Sequence, residues 1–229
     1  MKVAIMQPYF FPYIGYFQLI NAVDIFVIYD DVNYIKQGWV NRNRILINNT
    51  VHYFTLQIKG ASSFRKIKDI TIGNNRLKLL KTIEQSYKNA SQFENVHLLI
   101  TDILTSEEEN LSKFLMYSLK KIVEYLGIKT VFMLSSEIDI NTVAKAEDKI
   151  ITICKKLGAI NYINAIGGQE LYNKTKFDEN SLKLQFLKTN VIQYNQFNAN
   201  FVPWLSIIDV LMFNDKTAFF ELLNNYELV

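Results

Sequence analysis

Cysteine is almost absent from this chain. The single Cys154 leaves no intramolecular disulfide to form, and lone thiols are normal in reducing compartments. Glycine and proline are scarce, 8 and 3 among 229 residues, which excludes collagen-like and low-complexity chains. With 49% hydrophobic residues, disorder is excluded too. Histidine occurs twice, as His52 and His97, far apart and each next to apolar residues, so a histidine-based metal centre or general base is poorly supplied. No apolar run reaches about 18 residues, so no bilayer span is expected. The apolar stretch Met1 to Met6 is too short for a secretory core and stops at Gln7-Pro8. A cytoplasmic protein is expected. Charge of one sign is also lacking: 25 Lys and Arg against 22 Asp and Glu give +3, which implies no general grip on nucleic acid.

What the chain has is aromatic residues: 16 Phe, 13 Tyr and 2 Trp, or 14%. Many must be core, because burying each ring contributes on the order of 2–3 kcal/mol. So many tyrosine hydroxyls need partners, which suits a pocket with polar edges. A chain of this length buries roughly 70–75% of its unfolded surface and needs no covalent staple. One domain spanning 1–229 is expected.

Lys2 to Met6 reads as a strand, Tyr13 to Val23 as a helix behind Pro12, and Asp24 to Tyr29 as a second strand, apolar on both faces. That β–loop–α–β order implies a right-handed crossover and an α/β domain with a mostly parallel sheet and helices on both faces. Trp39 to Ile47 and Val51 to Ile58 alternate around Asn48-Asn49-Thr50, the pattern of an antiparallel hairpin. Helical spacing fills Asn75 to Tyr87, Phe93 to Leu104 and Leu111 to Leu126, so a helical insertion over 75–127 is expected to lid the core. Ser106 with Glu107, Glu108 and Glu109 looks like the start of the third of these helices, and Gly127 like its end. Strands are expected at Lys129 to Leu134, Ile160 to Asn164 and Ser181 to Leu187. Helices are expected at Lys145 to Leu157, Leu205 to Phe213 and Thr217 to Tyr226.

Ligands of open parallel sheets bind beyond the carboxyl ends of the strands. Three segments fall there. Gln7 to Tyr16 is a loop stiffened by Pro8 and Pro12, carrying Tyr9, Tyr13 and Tyr16, with Gly15 able to admit a close approach. Amides at the start of the next helix favour a phosphate or carboxylate; the alternative is an aromatic plug closing one end of the sheet. Asp30 to Arg44 carries two carboxylates, Lys36, Trp39 and Asn41-Arg42-Asn43. On a strand, Asn41 and Asn43 share one face and Arg42 and Arg44 the other. Asp30 or Asp31 can act as a base or hold a metal through water, and an arginine can pair a phosphate; a salt-bridged strand end is the alternative. Gly167-Gly168, leading to Tyr172, can cradle a phosphate or simply turn the chain, and Lys-Ser/Thr of a P-loop is missing. Ser206 and Asp209 sit three apart, where Ser206 suits a helix cap. Arg65-Lys66-Ile67-Lys68 fits a solvated loop better than a phosphate site, and Cys154 fits core packing.

Four stretches together resemble the WbqC-like family: Met6 to Tyr16; Tyr29 to Val32 with Lys36, Trp39 and Asn41 to Asn43; Gly167, Gly168, Leu171 and Tyr172; and Leu205 to Asp209. The resemblance spans essentially the whole chain. It implies a place among O-antigen and other surface-polysaccharide genes, and transfer of glycyl or other acyl groups onto amino sugars. On that reading the chain is a transferase forming an amide on a nucleotide-linked amino sugar. Its candidate catalytic residues are Asp30, Asp31 and Lys36. Its substrate contacts are Gln7, Pro8, Tyr9, Tyr13, Gly15, Tyr16, Trp39, Asn41, Arg42, Asn43, Gly167, Gly168, Tyr172, Ser206 and Asp209. The acyl donor is an aminoacyl-tRNA, a carrier thioester or a free amino acid activated with ATP. No resident metal is implied, and the oligomeric state, homodimer included, is left open.

Tyr13-Ile-Gly-Tyr16 followed by Leu19-Ile20 is also similar to the His-x-Gly-His element of nucleotidyltransferases and pantoate–β-alanine ligases. That similarity implies a nucleotidyltransferase-like, Rossmann-like fold and an alternative activity, ATP- and Mg²⁺-dependent nucleotidyl or adenylyl transfer. Tyrosine in place of both histidines removes the positive charge that such chemistry uses. A third reading is a non-catalytic nucleotide-sugar binding protein.

Overall fold

A computed structural model describes residues 1–140, 146–197 and 200–229. The chain starts with β1 (Lys2–Met6), crosses over through α1 (Ile14–Asn21) and returns as β2 (Ile25–Ile28), parallel to β1 with Val3 beside Ile25 and Met6 beside Ile28. The hairpin β3 (Arg42–Ile47) and β4 (Thr50–Thr55) turns on Asn48 and Asn49, at φ 48° and 65°. Two left-handed residues in a two-residue loop make the turn whose twist matches the strands, and asparagine tolerates that backbone. Two-residue strands β5 (Ile58–Lys59) and β6 (Thr71–Ile72) follow. Then come α2 (Arg76–Tyr87), α3 (Phe93–Leu104), α4 (Leu111–Leu126), β7 (Val131–Leu134), α5 (Ala146–Lys156) and β8 (Asn161–Ala165). The chain closes with α6 (Lys174–Glu179), β9 (Lys183–Thr189), α7 (Ile207–Phe213), α8 (Lys216–Leu223) and β10 (Tyr226–Leu228).

Among the described residues, six strands form the main sheet in the order β10-β9-β8-β1-β2-β7, parallel throughout except for β10 against β9. The chain winds outward from β1 to β7, then returns past β1 to β8, which is the doubly wound, Rossmann-like arrangement. Period-two alternation sorts the core. Val3, Ile5 and Val27 face α5 and Phe177 of α6, with Cys154 buried among them. Ala4, Phe26, Ile28 and Ile163 face the other way, into one apolar cluster shared by α1, α2, α3, α4, α7 and α8. The helices of 75–127 thus share their core with α1, and α4 is the crossover from β2 to β7. No described helix is long and apolar enough to cross a membrane.

Two helix boundaries differ most from the sequence expectation. Helix α4 begins after Asn110, whose side chain accepts from the Lys113 amide, rather than at Ser106. The three glutamates lie in a connector instead: Arg76 binds the carbonyls of Ser106 and Glu108, and the Ile72 amide donates to Glu109, so tertiary partners override the cap signal. At the C-terminus α8 stops at Leu223, and Tyr226 joins edge strand β10 beside Thr189, a strand too short to show a period. Lys145, expected to open the α5 helix, lies outside the described residues. Gly127 and Gly158, both at φ near +70°, end α4 and α5 as expected.

Candidate functional site

The loop from Gln7 to Tyr13 bends back as a hook at the carboxyl end of β1. Phe10 and Phe11 bury their rings, Phe10 stacking on Phe54 of β4 at 5.1 Å. Phe11 sits at φ 43°, a conformation costly for a bulky L-residue by about 1–3 kcal/mol and kept only where neighbours impose it. They do. Asn43 Nδ2 donates to the carbonyls of Phe10 (3.3 Å) and Phe11 (2.9 Å), and Ser206 Oγ donates to Phe11 O at 2.8 Å. The Ile207 amide donates to Pro12 O, and the Ser206 amide to Arg44 O. Trp204 is held likewise at φ 61° by Arg44, whose Nη2 donates to Trp204 O at 2.9 Å. The hook, the hairpin and the start of α7 are therefore one hydrogen-bonded unit with two left-handed aromatic residues in it.

That unit walls two adjoining cavities. The smaller, about 290 Å³, lies between Tyr9, Pro12 and Tyr13 of the hook and Trp39, Asn43 and Arg44 of the hairpin, with Trp204 at its edge. The larger, about 640 Å³, runs from Tyr13 and Ile14 along the segment after β9 (Thr189 to Tyr194) to Phe201 and Trp204. Tyr13 and Trp204, ring centroids 5.7 Å apart, form the partition common to both. Gly15 makes this partition possible: a Cβ there would stand 2.4 Å from the Tyr13 ring, so the close approach it permits is by Tyr13 itself. Burial pushes the phenols of Tyr9 and Tyr13 up, keeping them neutral hydrogen-bonding groups. Arg44 Nε is buried without a partner among the described residues.

Behind the larger cavity lies Asp209, fully buried on α7. Its Oδ1 accepts from Tyr194 Oη (2.6 Å) and Gln196 Nε2 (2.8 Å), and its Oδ2 from Tyr87 Oη (2.9 Å). Burial raises this carboxyl above the ordinary range, against the pull of the three donors. Burial likewise pushes the Tyr194 phenol well up, helped by the neighbouring Asp209 charge.

Of the residues singled out in the sequence, Tyr9, Tyr13, Trp39 and Asn43 meet at the smaller cavity, Gly15 supports it, and Ser206 and Asp209 brace the walls. The others stand elsewhere. Asp30 is buried, accepting from Ser112 Oγ (3.2 Å), Ser136 N (3.0 Å) and Ser136 Oγ (2.8 Å), and so ties β2 to the turn after β7. Asp31 pairs with Lys149 and lies 2.6 Å from Ser135 Oγ; burial would raise its carboxyl, but Lys149 and Ser135 outweigh that and hold it low. Lys36 is solvent-exposed. Asn41 is spent inside, accepting from Tyr34 Oη at 2.7 Å and donating to Leu56 O at 2.8 Å. Arg42 binds the carbonyls of Gln37 and Gly38. Tyr16 is buried, its hydroxyl on the carbonyl of Gln7 (2.9 Å), so it is not free for a phosphate; Pro8 is buried too. Gly167 and Gly168 lie in the 3₁₀ turn after β8, and Tyr172 packs edge-on to Phe177 with its hydroxyl 3.2 Å from that of Tyr162, on the α5 side of the sheet.

Sequence reasoning passed over Tyr194, Gln196, Trp204 and Tyr87. Three lie in the stretch from Thr189 to Trp204, which mixes amides and aromatics with no helical or strand period. That composition was the available signal, as in the loops that carry function on a rigid scaffold. Tyr87, read only as the end of a helix, is a core residue whose hydroxyl reaches the network.

No solved structure matches the chain. An uncharacterised protein of Mycobacterium tuberculosis, Rv1507c, is 31% identical over 215 residues, covering 92% of each chain. The model of the WbqC-like protein family matches residues 7–220, which take in the hook, the hairpin and α7. With nearly its whole length matched, this chain belongs to the WbqC-like protein family.

Proposed function

We propose that the protein binds a nucleotide-linked amino sugar in the paired cavities and transfers an acyl or aminoacyl group to the sugar nitrogen, for surface-polysaccharide assembly of the O-antigen kind. The observation that carries this reading is the shared Tyr13–Trp204 partition: two aromatic-walled compartments meet at one edge, enough for a two-part ligand or for donor and acceptor together. Tyr13, Tyr194, Phe201 and Trp204 offer faces for a base or sugar ring, at ~1–3 kcal/mol per stacked base. Asn190 and Gln193 offer amides for hydroxyls, and the unpartnered Arg44 Nε offers a donor to a phosphate or carbonyl oxygen. Membership of the WbqC-like family supports the pathway.

The chemistry needs a neutral amine. Its nitrogen bonds to the acyl carbon as the bond to the leaving group breaks, and the surplus amine proton passes to that group. Among the described residues no carboxylate lines either cavity, so on this reading the proton moves through Tyr194 Oη, which takes it while giving its own to Asp209 and then, by the reverse path, hands a proton on to the leaving group. Thermal-shift screening against nucleotide amino sugars tests the binding step. A true ligand at about 100 times its dissociation constant adds roughly 2.7 kcal/mol of stability, and Trp204→Ala should abolish that gain. Mass spectrometry then looks for the amide with supplied acyl donors. A ligand bound by the wild type with no amide from any donor would leave a binding protein; no shift from any nucleotide sugar defeats the reading.

A further inference from the structure

Charge is unevenly spread along this chain. Val32 to Lys68 holds seven Lys and Arg residues and no Asp or Glu, against a net charge of +3 overall, so the remaining residues carry a net −4. The fold brings two loops of this basic stretch together. The loop 32–39 and the loop 60–68 are joined by the Asn33–Lys66 bridge and by the Tyr34 amide donating to Arg65 O at 2.9 Å. Next to them is the outer face of the hairpin, where Arg42 and Arg44 stand opposite Thr55 and Tyr53.

On that face cations and rings alternate. The Arg42 guanidinium lies 4.6 Å from the Tyr53 ring centre, Tyr53 lies 6.5 Å from Trp39, and the Arg44 guanidinium 5.7 Å from Trp39. Tyr53 is 60% exposed and Phe64, beside Arg65, is 92% exposed. Among the described residues, Arg42, Arg44, Arg65 and Lys66 form no ion pair. A purely solvated basic patch has no use for open aromatic faces, and a protein-docking patch would not be this uniformly positive. A ligand that matches both is a polyanion carrying planar apolar groups, and single-stranded nucleic acid has both. A duplex hides its base faces and fits less well. One end of the ladder, Trp39 with Arg44, is also a wall of the smaller cavity.

We propose that this face binds a single-stranded RNA end and feeds it into the smaller cavity, so that the acyl group arrives as an ester on the terminal ribose. The binding stands by itself; the delivery rests on the transferase reading above. In the transfer, the sugar nitrogen forms the amide bond as the ester carbon–oxygen bond breaks, and the ribose oxygen takes up the amine proton. The test is fluorescence anisotropy with a short, labelled single-stranded RNA, titrated at several salt concentrations. The wild type should bind, with log affinity falling by about 0.7 for each phosphate neutralised per tenfold rise in salt. Tyr53→Ala should weaken binding about tenfold, Arg42→Gln should flatten the salt slope, and Lys155→Gln on α5 should change nothing. Equal competition by a blunt duplex or by inorganic polyphosphate, or wild-type affinity in Tyr53→Ala, would overturn the proposal. RNA binding that depends on Tyr53 without any nucleotide-sugar shift keeps this face and discards the transferase reading. Nucleotide-sugar binding without RNA binding does the reverse.

Discussion

Two carboxylates here show how burial and partners set opposite pH behaviour. Asp209 has its carboxyl raised by burial despite three donors. A raised native value means its contribution to stability is full below the unfolded value and is lost as pH rises through the native one. Asp31 is held low by Lys149 and Ser135, so its contribution is present above the unfolded value and is lost as pH falls. Urea midpoints measured between about pH 3 and 7 should separate them. Relative to Asp209→Asn, the wild type should gain stability towards acid; relative to Asp31→Asn, it should lose it. The same sign in both comparisons would mean that one network has been misread.

At the scale of elements, the hook is defined by what holds it. Asn43 makes three hydrogen bonds, two to the hook carbonyls and one from the Arg44 amide, and it is buried. Asn43→Ala leaves those groups unpaired, and should cost about 3 kcal/mol and let Phe11 relax from its left-handed backbone. Chemical denaturation reads the first effect and loss of any nucleotide-sugar shift the second. A variant as stable as wild type would show that the hairpin is not what fixes the hook. The elements themselves were mostly legible: the bounds of β1 and of α3 match those read from the chain, because α3 buries one regular face and β1 is a short apolar run buried on both. Asn41 and Asn43 do share a face away from Arg42 and Arg44, which alternation alone implies. What alternation does not say is that the asparagine face turns inward, spending both Nδ2 groups on backbone carbonyls.

For the molecule as a whole, the last turn of chain is tied to the first helix. Gln18 is wholly buried; its Nε2 donates to Leu222 O (2.8 Å) and Asn225 O (3.2 Å), and its Oε1 accepts from Thr189 Oγ1 (2.8 Å) at the rim of the larger cavity. Gln18→Leu keeps the bulk and removes all three bonds. It should destabilise by about 2–3 kcal/mol with an unchanged denaturant slope, since the surface exposed on unfolding is the same. A shallower slope would mean that α8 and β10 come loose before the rest. The same long-range closure, between residues over 200 apart in sequence, shapes the cleft, and sequence alone gives no view of it.

The chain by itself determined the α/β layering, the hairpin, most helix limits and the family, because these follow from local periodicity, turn residues and a run of distinctive side chains. Only the tertiary structure decided which polar residues face a cavity and which are used up inside. Asp30, Asn41 and Tyr16 read as site residues and are structural ties, whereas Trp204 and Tyr194 were hidden in an aperiodic stretch and stand at the cleft. Whether a polar side chain meets a ligand or a backbone carbonyl depends on partners brought from distant parts of the chain, and no local pattern records that.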